Sequence, residues 1–173
     1  MKKKYFNSER LLSFAAILLS VCTLIVFVYQ TRLIQKQQYA SVYPHLQIGN
    51  HGTGNINYKY ILSNDGVGPA LLKTIRVIDS TGKVYNDLKP YVSANIKKSD
   101  SISFTYSNLI VGMIIPAGKS IEVISFNGSK IKGANKLSEI LNQKDLVIEV
   151  EYKSIYNESW KISNRSYIPE LID

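Results

Sequence analysis

Residues 146–163 read LVIEVEYKSIYNESWKIS, and this stretch decides the fold. Ile148, Val150, Tyr152 and Tyr156 take even positions, whereas Glu149, Glu151 and Lys153 take odd ones. Side chains of a strand point alternately to opposite faces, so the stretch opens with a strand buried on one face. Trp160 and Ile162 then alternate with Lys161 and Ser163, giving a second strand. To bring both apolar sets to one face, Tyr156 must oppose Trp160 and Ser154 must oppose Ile162. A two-residue turn at Asn157-Glu158 would move Trp160 to the Glu151/Lys153 face. The parity therefore predicts a three-residue turn, Asn157-Glu158-Ser159, or an equivalent bulge. One residue there should sit near the left-handed region, which asparagine tolerates.

The same period runs upstream. Leu46 and Ile48 alternate with polar residues, and residues 55–62 put Ile56, Tyr58, Tyr60 and Leu62 on one face. Further runs cover 71–78, 102–106, 109–115 and 121–126, separated by turn compositions at 50–54, 64–70, 79–82, 116–119 and 127–129. Leu137, Ile140 and Leu141 have helical spacing within 135–143, and part of 87–98 reads as a helical turn or short helix. Seven to nine short strands with one or two short helices predict a mainly β domain. The expected architecture is an Ig-like antiparallel β-sandwich, with a small β-barrel as the alternative. Cys22 is the single cysteine, so the Cys-Trp-Cys framework of antibody domains is missing and "Ig-like" is architectural only.

Leu11 to Tyr29, LLSFAAILLSVCTLIVFVY, carries no charge, glycine or proline. As a helix it spans about 28 Å, the thickness of a bilayer's hydrocarbon core. No small-x-small cleavage site follows, and Val21 precedes Cys22 where a lipoprotein signal needs a small residue, so the reading is an uncleaved anchor. Cys22 is then a lipid-facing or helix-facing thiol. Ala16 and Ser20 form a small-xxx-small pair, a pattern common by chance. The net charge of +8 divides unevenly: residues 1–36 hold six basic residues and one acid, and the rest fifteen basic residues and twelve acids. Four of the six lie before the apolar run, which predicts a cytoplasmic N-terminus and an exported body. No basic cluster interleaves with aromatics, so nucleic-acid binding is not expected. The expected organisation is a cytoplasmic tail (1–10), a transmembrane helix (11–29), a helical stalk (30–40) and an exported β-sandwich (41–173).

Three further segments carry a resemblance: 40–44 (ASVYP), 63–70 (SNDGVGPA) and 152–160 (YKSIYNESW). With the leading anchor, they make the chain similar to a loose group of bacterial single-pass membrane proteins with an exported β-rich domain. That group has no assigned activity, so the resemblance implies location and architecture only.

Candidate sites are few. A phosphate loop at Gly66-Val67-Gly68-Pro69-Ala70 would need a helix behind it, and a strand pattern follows, so a tight inter-strand loop is expected. His45 and His51, the only histidines, lack a third ligand for zinc and a serine on a strained turn for a triad. Glu149 and Glu151 share one strand face and read as a solvated row. The Asn-x-Ser sequences at Asn127, Asn157 and Asn164 are expected by chance in a chain rich in both residues. No catalytic, cofactor-binding or metal-ligating residue is assigned, and no cofactor is expected. Twelve tyrosines and one tryptophan suggest cross-strand packing or a binding surface. Tyr156 and Trp160, at a hairpin tip, are the candidate partner-binding pair. The function expected is a non-enzymatic binding module on the outer face of a bacterial cytoplasmic membrane, facing a protein or envelope ligand. The rivals are a subunit of a multi-protein membrane complex (transport, envelope maintenance or phage defence) and an envelope hydrolase without a familiar motif.

Overall fold

The structure is a computed structural model that describes residues 8–97, 100 and 102–172. Contacts divide the chain into two units, one ending at Ala40 and one beginning at Ser41.

The first unit is essentially one helix, α1 (Ser8–Ser41), of 34 residues with none buried. It runs through both the expected span and the expected stalk without a break. The expected tail lies mostly outside the described residues. The hydroxyls of Ser13, Ser20, Thr23 and Thr31 donate to the carbonyls of Glu9, Ala16, Leu19 and Phe27, four residues back. Each serine and threonine hydroxyl of the apolar stretch thus finds its partner within the helix, which is what a lipid environment would demand of it. By length and composition α1 is a candidate membrane span or signal anchor.

The second unit is mainly β. Its strands are β1 (Leu46–His51), β2 (Lys59–Asn64), β3 (Ala70–Ile78), β4 (Val84–Tyr85), β5 (Phe104–Tyr106), β6 (Ile114–Ile115), β7 (Ser120–Phe126), β8 (Val147–Lys153), β9 (Ser159–Ser163) and β10 (Ser166–Ile172). Two helices, α2 (Leu88–Asn95) and α3 (Ile131–Leu141), interrupt them. One antiparallel sheet has the order β1-β2-β7-β5; the other runs β10-β9-β8-β3-β4, with β6 also on β3. Neither sheet closes, so the architecture is two open sheets and not a barrel. One buried cluster draws on both: Leu46, Tyr60 and Leu62 from one side, Val77, Ile148 and Val150 from the other. α3 buries Ala134, Leu137, Ile140 and Leu141 along one stripe. The Tyr91 hydroxyl of α2 donates to the Ile140 carbonyl at 3.1 Å, tying the two helices together.

Several elements differ from the sequence expectation. Ile56, expected on a buried face, is exposed, because residues 52–58 form turns. The Asn55 N–H donates to Gly52, its carbonyl accepts from Tyr58, and its side chain accepts from Asn57. The apolar run 109–115 yields only β6, since Gly112 has φ 87° and turns the chain back. β4 is too short for a period to show. β10 carries Pro169, which is tolerated because β10 is an edge strand but hides it from a pattern search.

Asn64 is fully buried at the end of β2. Its Nδ2 donates to the carbonyls of Gly68 (2.8 Å) and Ile115 (2.9 Å), and its Oδ1 accepts from the N–H of His45 (3.2 Å) and Gly66 (3.1 Å). Its own backbone pairs with Lys119 and Gly118. Every donor it has and both lone pairs of its side-chain oxygen are used, which is the condition for burying an amide without penalty. Asn64→Ala leaves four backbone groups without their partner and should cost about 3 kcal/mol or more in denaturant unfolding. Asn64→Asp turns a carboxylate toward two carbonyls, so burial and repulsion raise its pKa above the unfolded value. The folded form then binds the proton more tightly, and the variant should be most stable in acid and lose stability as pH rises. A flat pH profile for Asn64→Asp would contradict the assigned geometry.

Candidate functional site

The strongest cluster of unusual features surrounds residues 42–45, where the chain enters the β unit. The loop from Asn64 to Ala70 wraps this segment. The Tyr43 carbonyl accepts from Val67 (3.0 Å) and Gly68 (3.2 Å), and the His45 carbonyl accepts from Asp65 (2.8 Å). A Cβ at Gly66 would overlap the Tyr43 carbonyl and the His45 nitrogen, and one at Gly68 would overlap the Val42 carbonyl. The glycines are therefore there for backbone-to-backbone clearance, and β3 follows them directly. The loop joins strands, as expected, and presents no helix N-terminus to a phosphate.

On the other side of Tyr43 stands the β8–β9 hairpin. Tyr43 and Trp160 meet edge to face at 4.9 Å between ring centroids and 79° between planes. Tyr152 lies behind them. Its hydroxyl donates to the Pro44 carbonyl and accepts from the Leu46 N–H, both at 3.4 Å. Burial pushes the Tyr152 hydroxyl well above its ordinary pKa. Burial, and then the nearby Glu158 carboxylate, raise Tyr43 as well.

The hairpin register corrects the expected pairing. Trp160 opposes Tyr152 and Ile162 opposes Val150, not Tyr156 and Ser154. The parity is right, since Trp160 and Ile162 do share the face of Val150 and Tyr152, but the turn comes two residues earlier. The Ser154 N–H still donates to the Glu158 carbonyl at 2.9 Å, so the three turning residues are Ile155, Tyr156 and Asn157. Asn157 holds the left-handed conformation with φ 69°. The Ser154 hydroxyl accepts from the Tyr156 N–H at 3.2 Å and closes the turn locally. A serine on the inward face gave the alternation no sign that the strand had ended. Tyr156 and Trp160 are consequently not opposed: Tyr156 is at the tip and Trp160 is half-buried against Tyr43.

Three apolar side chains project from the turns around this entry: Val67 (66% exposed), Ile155 (53%) and Tyr156 (43%). Tyr156 is the only one of the three among the partner-binding candidates from the sequence; Val67 and Ile155 are not. Both carried a signal: an apolar residue between two turn glycines, and one at an odd, otherwise polar position.

The remaining candidates are structural or scattered. Glu149 and Glu151 face outward, paired with Arg76 at 3.3 and 2.8 Å. Lys161 lies between Glu149 (3.9 Å) and Glu170 (3.6 Å), so the row is an ion-pair ladder across four strands. His45 is half-buried beside the Tyr43 ring, whereas His51 is exposed at the far end of β1. Among the described residues no group of three or more His, Cys, Asp or Glu could hold a metal. Asn164 is committed to the fold: its Oδ1 accepts from the Ile148 N–H (2.9 Å) and its Nδ2 donates to the Leu146 carbonyl (3.0 Å).

No protein-family model, curated protein or solved structure matches this chain.

The Trp160 Nε1 is buried without a hydrogen-bond partner. Trp160→Ala should therefore cost about 2 kcal/mol, below the ~3–5 kcal/mol of a fully buried tryptophan. Trp160→Phe should stay within about 1 kcal/mol of wild type, because it removes an unsatisfied donor along with some apolar area. Denaturant midpoints at constant slope check both, and a Phe variant as damaged as the Ala variant would show that the indole N–H has a partner.

Proposed function

We propose that this chain is a single-pass, membrane-anchored interaction module of a bacterial cytoplasmic membrane, with its β unit on the outer face. The observation that carries the reading is α1: 34 residues, none buried, with its serine and threonine hydroxyls satisfied internally. The orientation rests on the basic residues that precede the apolar run, which favour retention of the short N-terminal side in the cytoplasm. The Ig-like label remains an architectural analogy for two antiparallel sheets around one core.

The activity proposed is binding, not catalysis. Its surface is the set of turns at the chain entry, where Val67, Ile155 and Tyr156 project from a frame fixed by Asn64 and Trp160. Exposed apolar and aromatic side chains on a rigid frame suit an apolar patch on a protein partner. Membership of a multi-protein membrane complex is the same reading with the partner also in the membrane.

Two experiments test it. Alkaline phosphatase fused after Asp173 should be active and a cytoplasm-only reporter there should be silent; the reverse result would overturn the outer-face assignment. Photo-crosslinking from a benzoylphenylalanine at Tyr156 in cells should give a discrete adduct that one at exposed Val84 does not. Equal labelling from both positions would remove the entry turns as the contact surface.

A further inference from the structure

β3 is paired by β8 along one side, but on its other side only near its ends. Ala70 and Leu71 pair with Ile115 and Ile114. The Leu72 N–H donates to the Met113 carbonyl and the Leu72 carbonyl accepts from the Gly112 N–H, both at 2.8 Å. At the far end Val77 and Ile78 pair with Tyr85 and Val84. Ile75 stands between these two sets of rungs.

The ladder fixes where its backbone points. In a strand the N–H and C=O of one residue face the same side, and the side alternates. The Asp79 N–H donates toward β4, to the Lys83 carbonyl at 3.1 Å, so Val77 and Ile75 face that way too. β8 gives the same answer independently. Ile148 spends its N–H and carbonyl on Asn164, toward β9. Val147, Glu149 and Glu151 therefore face β3, opposite Ile78, Arg76 and Thr74. The bulge between Leu72 and Thr74 lets Leu72 and Ile75 face the same side despite their odd spacing. Ile75 thus presents one donor and one acceptor to the opening between β4 and β6, and among the described residues neither has a partner there.

A cleft of about 410 Å³ opens at this point. Leu72, Ile75 and Leu109, all buried, form its floor, and Asn86, Arg76 and Val111 its rim. Thr74 and Glu151 also line it; Arg76 is paired with Glu151 and with Glu149, so the charges at the cleft are matched among themselves.

We propose that this opening binds a short extended segment of a protein partner, which supplies the missing rung of the sheet. One residue of that segment donates its N–H to the Ile75 carbonyl and accepts the Ile75 N–H. Opposed residues of an antiparallel pair put their side chains on the same face, so this residue's side chain points inward, onto the Leu72/Ile75/Leu109 floor, and must be apolar. The rungs at Leu72 and Val77 are already taken. The segment is therefore about three residues long, a chain end or the tip of a loop, not a long strand. The site is distinct from the chain-entry turns and independent of the orientation of α1.

The test uses the full-length protein in detergent micelles, labelled with 15N-isoleucine, with the Ile75 resonance assigned by its loss in Ile75→Val. Without ligand, the Ile75 amide should exchange with solvent faster than the amide of Ile148, which donates to the Asn164 side chain. Titration with acetyl-Ala-Leu-Ala-amide should shift the Ile75 resonance saturably. The same peptide with N-methylleucine lacks the N–H owed to the Ile75 carbonyl and should bind about five- to tenfold more weakly. A strongly protected Ile75 amide in the free protein, an unmoved resonance, or equal binding of the N-methyl peptide would each overturn the proposal. A cytoplasmic orientation of the β unit would leave this titration unchanged.

Discussion

The β unit depends on one buried amide. Asn64 sits where the chain leaves one sheet for the other, and its side chain satisfies backbone groups of His45, Gly66, Gly68 and Ile115. These belong to three separate segments: the entry, the crossing loop and β6. An amide with both donors and its carbonyl oxygen engaged inside a dry core is strongly directional, so it specifies one arrangement of those segments. The close approach it imposes leaves room only for glycine at positions 66 and 68. Tyr43 is then held against the loop by two hydrogen bonds, and Trp160 packs on its ring.

The chain passes between the two sheets five times: after β2, β4, β5, β6 and β7. Two of the passages are helices, α2 and α3, which cover core that the sheets alone leave open. The others are loops, and their hydrogen bonds to strand ends decide where pairing starts and stops. β6 is short because Gly112 turns the chain back toward Leu72, and β4 is short because Asp87 caps α2 two residues after it. The opening beside Ile75 is what these two early exits leave behind.

The charged face contributes differently. Arg76, Glu149, Glu151, Lys161 and Glu170 alternate in sign across β3, β8, β9 and β10. Each pair has one partner that reaches solvent or a long separation, and such pairs contribute modestly, about 0–1 kcal/mol each. Their effect is to keep the outer face of the larger sheet wet and charged, so that its buried face stays unambiguous. The apolar side chains that remain exposed on the β unit include turn residues such as Val67 and Ile155, which lie outside this alternation.

Much of the architecture is legible in the sequence, because facing is a local property. The alternation of Ile148, Val150 and Tyr152 with Glu149, Glu151 and Lys153 reports which side of β8 is buried, and the spacing of Leu137, Ile140 and Leu141 does the same for α3. The uncharged run from Leu11 to Tyr29 needs no tertiary partner to be helical. What the sequence could not state is where each ladder ends and which strands adjoin. Ile56 continued an apolar alternation and is nonetheless exposed, because the Asn55 side chain holds a turn. The β8–β9 turn sits two residues early, because the Ser154 hydroxyl caps it. Asn64 read as one more turn residue and is the most connected polar group in the core. In each case the deciding factor was a hydrogen bond or a steric clearance between specific atoms, which a pattern of apolar and polar residues does not encode. The sequence alone determined which face is buried in the elements long and regular enough to show a period, such as β8 and α3; the tertiary structure decided the neighbours and the stopping points, because those depend on distances between segments far apart in the chain.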